Sequence, residues 1–467
     1  MELQWWSILP FVVMLASIAV LPLVPATSHW WEKNSHQLLV ALVLGLPVAV
    51  WMLVAIGWEP VFASVVEYIQ FISLLLALFV VSGGIFLRGD IQATPRNNTI
   101  FLAIGALLAS FVGTTGAAML LIRPLLNTNR EREYRVHTVL FTIFMVANCG
   151  GLLTPLGDPP LFLGFLRGVP FTWTFNLAVE WLFVNAMLLS IYFALDSWYY
   201  SQEPAADILA DKTDIEPLGL RGANNLIWFV VIIAAVAFAP SIDAEAIEEG
   251  HATVMDWIPL REMIMLAAAA ASFKFGDKRA RFEDNQFEWG PIAEVAALFI
   301  GIFLTMIPAL RYLDEVAGSL PLNEITFFVF TGGLSSLLDN APTYATFFEM
   351  AGQIPHPGGA TVAGVPELYL RSISLGAVLC GALTYIGNGP NFMVKSVAEA
   401  RDVEMPSFGG YIGRSFMYLV PVLAAMVLLF IANPLWAKLL GVVLVVVLLA
   451  NNVRLLRSSR RLALADA

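Results

Sequence analysis

The chain has 467 residues, 58% of them hydrophobic and only 13% charged. Soluble globular proteins carry about 25% charged residues, so the composition excludes a soluble enzyme and a nucleic-acid-binding module. The net charge of −11 is spread over loops and membrane segments and points to no charged partner.

The N-terminal MELQWW runs straight into an apolar stretch without a basic lead, so it reads as the start of a span rather than a signal peptide. Eleven full spans are expected, at about 7–24, 36–56, 62–87, 137–168, 172–197, 223–240, 254–273, 291–311, 368–398, 411–433 and 434–453. Two more apolar segments, 98–126 and 320–352, have polar, helix-breaking centres, VGTTGAA and SSLLDNAPTY. Each reads as a re-entrant helical hairpin that enters and leaves on one side. The fold class is thus an all-α polytopic membrane protein. Cys149 and Cys380 lie in apolar segments and read as packing residues, not a disulfide.

Loop charge supports the hairpins. With both re-entrant, 17 of the 25 basic residues fall on one side, among them Lys33, Arg88, Arg130, Arg132, Arg135, Lys274, Arg281, Arg401 and the tail arginines. The opposite loops 241–253 and 353–367 hold none. The basic side is expected to be cytoplasmic, with the N-terminus outside and the C-terminus inside a plasma membrane, the inner membrane of a bacterium. The hairpins then enter from opposite faces, which predicts an inverted repeat. Landmarks recur in order: Glu67 and Glu294 are 227 residues apart, and the frame T-x-[LI]-G-[DN]-x-P-x-F recurs at Thr154 and Thr384, 230 apart. The expected division is an N-terminal span and loop (1–35), a first repeat (36–198), a cytoplasmic linker (199–222), a second repeat (223–433) and a peripheral span with a basic tail (434–467).

The stretch GLLTPLGDPPLFLGF (151–165) sets three prolines and an acid inside a span. A helix break survives in a bilayer only where protein or a water-filled cavity surrounds it. Its freed N–H groups favour anions and its freed carbonyls favour cations. Four breaks, two hairpin tips and two interrupted spans, are expected to converge on one substrate site. An intramembrane acid costs roughly 2.5–3.5 kcal/mol on insertion scales and is functional by default. Asp158 and Asp339 lie at breaks and are the candidate ligands for a transported Na⁺; the competing reading is that each only caps a half-helix. Thr114, Thr115, Asn148, Thr154, Asn340, Thr384, Asn388 and Asn391 are neutral oxygen or amide candidates in the same places. Arg123 and Lys395 follow breaks and would neutralise an aspartate, hold an anion or snorkel to the interface. Glu67, Glu294 and Glu349 lie in membrane segments, and the five histidines show no metal-ligand spacing. No resident cofactor is expected; Na⁺ and H⁺ would be cargo.

The segments AxCGGLLTPLGDPPLF and LSSLLDNAPTYATF resemble the ion-transporter superfamily, which includes citrate carriers, arsenite permeases, dicarboxylate transporters and one class of sodium/proton antiporters. The resemblance covers about 36–433. The pairing of N-x-GG-x-x-[ST]-P-[IL]-G-D with L-D-N-x-P looks most like the antiporter branch. It implies an ion site at Asn148, Gly150, Gly151, Thr154, Pro155, Gly157 and Asp158 with Ser335, Ser336, Asp339, Asn340 and Pro342. GNGPNFMVK (387–395) resembles the anion-carrying members instead, while the Ser-Asn-Thr tips of dicarboxylate carriers are absent. The superfamily also implies a homodimer, with the outer spans of the first repeat as its contact.

Two readings follow. In the first, a sodium/proton antiporter, Asp158 and Asp339 bind Na⁺ when ionised and release it when protonated. In the second, a carrier of citrate or another anion, Arg123, Lys395 and half-helix N-termini hold the anion while a cation rides at the aspartates. An intramembrane aspartyl protease also uses two carboxylates, but the breaks and the repeat have no role in one, so no enzyme is expected.

Overall fold

The computed structural model describes residues 3–465 apart from 23, 214–216, 218, 249, 318–321 and 355–358. His356 and the first residues of the expected hairpin 320–352 lie outside the described residues. Helix α1 (Leu9–Val20) leads to α2 (Asn34–Ala55) and α3 (Glu59–Ser82). Helices α4 (Pro95–Val112) and α5 (Thr114–Thr128) are separated by Gly113 alone. Its φ of 82° is one that a side chain would strain. Helix α6 (Val136–Met145) ends in an irregular stretch before α7 (Pro159–Leu166), and α8 (Ala178–Tyr200) follows.

The second half runs α9 (Asn225–Phe238), α10 (Leu260–Phe275) and α11 (Gly290–Ala317). Then come α12 (Glu324–Leu337), α13 (Asn340–Gly352), α14 (Glu367–Cys380) and α15 (Gly389–Glu399), with irregular backbone at 381–388 between the last two. Helix α16 (Phe408–Tyr418) continues to Ile431, and α17 (Leu435–Ala465) closes the chain.

Among the described residues, six helices are long and apolar enough to cross a bilayer: Asn34–Ala55, Glu59–Ser82, Phe171–Tyr200, Gly290–Leu313, Phe408–Ile431 and Leu435–Leu462. The other expected spans rest on shorter or broken helices. Packing divides the molecule into two groups. One joins α1, α2, α3, α9, α10 and α11; the other joins α4 to α8 with α12 to α17; the two meet where α11 packs on α13 and α3 packs on α5 and α7. Helix α4 packs on α5, and α12 on α13, the segments of the two expected hairpins. The second arms are exchanged: α5 packs on α15, and α13 on α7. Helix α17 lies against α8 and turns Leu439, Val443 and Val447 outward, as a lipid-facing helix does.

Loops at one end of the bundle are tied together by polar contacts. A strand β1 (Phe86–Arg88) pairs antiparallel with β2 (Gly219–Arg221), at the end of the segment 199–222. Its residues Ala205–Thr213 form a helix whose Asp211 accepts from the Ala93 N–H at 2.9 Å. Arg132 pairs with Asp196 at 2.7 Å and Glu203 at 3.2 Å, and His137 meets Asp196 at 2.8 Å. Among the described residues buried Arg281 has no carboxylate partner. It donates to Val80 O at 2.5 Å and Ser272 O at 3.2 Å and lies against the Phe273 and Phe287 rings. Burial lowers its pKa to about 10, still well above neutral pH, so it clamps the ends of α3 and α10 as a cation.

Asp90, in the same loop layer, is 4% exposed, and its Oδ1 has no hydrogen-bond partner. Burial, and then the Glu131 charge, push its carboxyl up from 3.8 to about 6. The folded chain therefore holds this proton more tightly than the unfolded chain. The resulting penalty is absent below the unfolded pKa, grows as pH rises, and is complete above about 6. Asp90→Asn should raise the unfolding temperature in detergent at pH 7.5, with a gain that shrinks steadily between pH 6 and 4. A thermal-shift series over pH checks it.

Candidate functional site

The four breaks meet around Asp158. This residue occupies the N-cap position of α7 yet makes no capping hydrogen bond. The next two residues, Pro159 and Pro160, have no N–H to offer it. The carboxylate is 1% exposed and turns instead to the other breaks. Oδ1 accepts from Thr114 Oγ1 at the first hairpin tip (2.8 Å) and from Asn388 Nδ2 at the second interrupted span (3.1 Å). Oδ2 accepts from Asn340 Nδ2 at the second hairpin tip (2.5 Å). Asn340 Oδ1 is buried with no partner. One carboxylate thus gathers a donor from each of the three other breaks.

The remaining candidates divide by what they touch. Thr154 donates to Ser110 O, and Thr384 donates to Ser336 O at 2.5 Å, so each fastens an interrupted span to the hairpin arm of its own half. Asn148 Nδ2 donates to Asn391 Oδ1 at 2.7 Å, and Asn148 Oδ1 accepts from Asn388 Nδ2 at 3.2 Å, which joins the two interrupted spans. Asn391 also donates to Gly381 O and Thr384 O. Asp339 does cap: its Oδ1 accepts from the Ala341 N–H at 3.1 Å, at the start of α13. The two aspartates are therefore not equivalent, and their carboxylates do not share a hydrogen bond. Lys395 pairs with Glu399 at 2.8 Å. Cys149 and Cys380 are free and buried.

One cavity reaches Asp158, and a second adjoins it. The first, of about 100 Å³, is lined by Gly113, Thr114, Thr115, Pro155, Gly157, Asp158 and apolar residues of α3. It has room for about three waters at roughly 30 Å³ each. It shares Phe79, Thr115, Pro291 and Met393 with a cavity of about 430 Å³ beside the basic loops. That cavity is lined by Arg123, Ser82, Asn285, Glu288 and Ser396. Among the described residues Arg123 forms no ion pair, and Arg401 donates to its carbonyl at 3.2 Å. Among the described residues no group of three His, Cys, Asp or Glu side chains would hold a resident metal ion.

A family model described as “Putative citrate transport” matches residues 1–431. The chain belongs to this family, CitMHS_2. CitMHS_2 is a transporter family, and with it the apolar helices describe a multi-pass membrane protein. No curated protein matches the chain. The CitMHS_2 match spans all four breaks and stops short of α17.

Sequence reasoning passed over Ser110, which with Ser335 and Ser336 holds the breaks closed. Ser110 Oγ donates to Gly150 O at 2.5 Å and Ser335 Oγ to Ala377 O at 2.6 Å. Ser110 and Ser336 each stand three residues before a tip residue, Gly113 and Asp339, a spacing that the sequence does carry. Arg167 was also missed, although its partners Glu67 and Glu349 stood out.

Backbone crosses backbone at each interrupted span. A Cβ on Gly157 would sit 2.1 Å from Gly151 O, and one on Gly387 would sit 2.6 Å from Gly381 O. Gly157→Ala should therefore force the first break open and cost about 2 kcal/mol or more through strain and lost buried hydrogen bonds. Gly389→Ala, with nothing near its Cβ, should be near neutral. Unfolding temperatures of the two variants in detergent check the contrast.

Proposed function

We propose that the protein is a secondary carrier that moves a small carboxylate anion of the citrate class, coupled to a cation or proton at Asp158. The observation that carries this reading is the buried Asp158 carboxylate with donors from the other three breaks and no basic partner. A carboxylate held only by neutral groups accepts either a proton or a cation. Turning the Asn340 and Asn388 amides would replace N–H donors by oxygens and give a cation the oxygen shell that hard ions prefer. Thr114 and broken-helix carbonyls would complete it. The unpartnered Asn340 Oδ1 is the first such oxygen.

The anion belongs in the larger cavity. Its volume of about 430 Å³ falls in the range of small-molecule pockets, roughly 300–1,000 Å³. Arg123, without a carboxylate partner, would meet the anion's charge. In this reading the hairpins are re-entrant, the two halves are inverted repeats, and alternating access exposes one site to each side in turn. The basic loops face the cytoplasm. Two copies would associate through α2, whose Val43, Leu46, Val50 and Val54 face outward.

A second reading, cation/proton exchange without an anion, is favoured by one dimension. The cavity at Asp158 itself, about 100 Å³, holds an ion but no tricarboxylate. Purified protein in liposomes separates the two. Citrate uptake driven by an inward Na⁺ or proton gradient should be lost in Asp158→Asn, while Arg123→Gln should raise the KM for citrate about tenfold, the effect of one charge-assisted contact. A pH gradient collapsed by Na⁺ with citrate absent would favour exchange. Citrate uptake unchanged in Asp158→Asn would refute both readings.

A further inference from the structure

The end of the bundle away from the basic loops holds a separate cavity of about 760 Å³. It shares no lining residue with the pocket at Asp158. The two are separated along the same helices. On α3, Glu67 and Gln70 face the outer cavity, while Leu74, Leu75 and Leu78 face the inner pocket. On α7, Phe165 and Phe162 divide in the same way. Between the levels Phe71 stacks on Phe299 at 4.9 Å, and both are buried. From Val295 to Phe303 on α11, about 12 Å of packed side chains bar the route at 1.5 Å per residue.

One charged cluster crosses this barrier's rim. Arg167, at the end of α7, donates to Glu67 on α3 at 2.8 Å, to Glu349 on α13 at 2.9 Å and to Ala345 O on α13 at 3.1 Å. The three contacts are not alike. Helix α13 packs directly on α7, so the Glu349 and Ala345 bonds lie within one packing group. Helix α3 belongs to the other group with α9, α10 and α11. The Glu67 bond is therefore the ion pair that joins the two groups at this end, beside the Arg261 guanidinium of α10, which lies over the Phe165 ring of α7 at 5.3 Å.

We propose that Arg167 and Glu67 form the latch that holds the outer cavity shut from the Asp158 pocket. Opening toward that end separates Arg167 from Glu67 while Glu349 keeps the guanidinium paired. The freed arginine is never left unpaired next to a low-dielectric wall, which limits the cost of opening. Arg167 and Glu67 are positioning residues here and touch no substrate. The inference rests on the alternating-access reading, but its test needs no transport.

The test places a reporter cysteine at Leu75, which lines the Asp158 pocket, in the full-length protein in vesicles of both orientations. A small charged thiol reagent that does not cross membranes is added, and the unaltered chain controls for buried Cys149 and Cys380. Leu75→Cys alone should be labelled from the basic-loop side and not from the other. Adding Glu67→Gln should raise labelling from the far side about tenfold, a shift in population toward the open arrangement. Adding Glu349→Gln should leave labelling one-sided. Arg167→Lys, which keeps the charge but loses the fork, should fall between them and serves if Glu67→Gln fails to fold. Labelling that stays one-sided in Glu67→Gln, or opens as far in Glu349→Gln, would overturn the latch. Failure of citrate uptake would leave it standing.

Discussion

Backbone that leaves the helix inside a membrane must find a partner for every freed N–H and C=O. The rest of this structure depends on how that demand is met. The interrupted spans satisfy it with the hairpin tips. Thr154 reaches Ser110, Thr384 reaches Ser336, and the Thr114 N–H donates to Gly157 O at 2.8 Å. Each break is thus built from two chain segments, and neither is satisfied alone. The glycines follow from the same demand, because only bare backbone lets residues 151 and 157, or 381 and 387, cross so closely. Once the breaks are locked together, any side chain at their centre is shared by four segments.

Matched positions in the two halves carry different chemistry. Asp158 stands where the second half has Asn388, and the Pro159–Pro160 pair stands where it has Gly389–Pro390. The centre therefore has one carboxylate among amides and a hydroxyl, held between them without a basic neighbour. A symmetric pair of acids would repel, and a salt bridge would hold the site in one charge state. A single acid with neutral partners responds to protons and cations, which is what a coupling residue needs. Arg123 and the larger cavity lie to one side of it, so the proposed anion and cation sites adjoin without competing for Asp158.

Much of this was legible in the residues. Long apolar runs pointed to an all-α membrane protein, because such runs leave few alternatives. The breaks were legible too, since GDPP, DNAP and GNGP are helix-stopping chemistry in an apolar setting. The partner of each polar group was not. Asp158 and Asp339 look alike in sequence, but two prolines deny Asp158 its cap, while Ala341 supplies one to Asp339. Lys395 follows a break as Arg123 does, yet Glu399 one turn on claims it. The small sheet between 86–88 and 219–221 joins segments over 130 residues apart and leaves no local signal. Arg167 went unnoticed because its meaning comes from helices far away in sequence, α3 and α13.

The most direct test of a single shared site at Asp158 is proton release on cation binding. Purified protein in weakly buffered detergent is titrated with Na⁺ across a range of pH while released protons are counted. The account predicts one competing proton per chain, Na⁺ affinity that falls as pH falls, and loss of both signals in Asp158→Asn but not in Asp339→Asn. Proton-coupled Na⁺ binding that survives Asp158→Asn would contradict it.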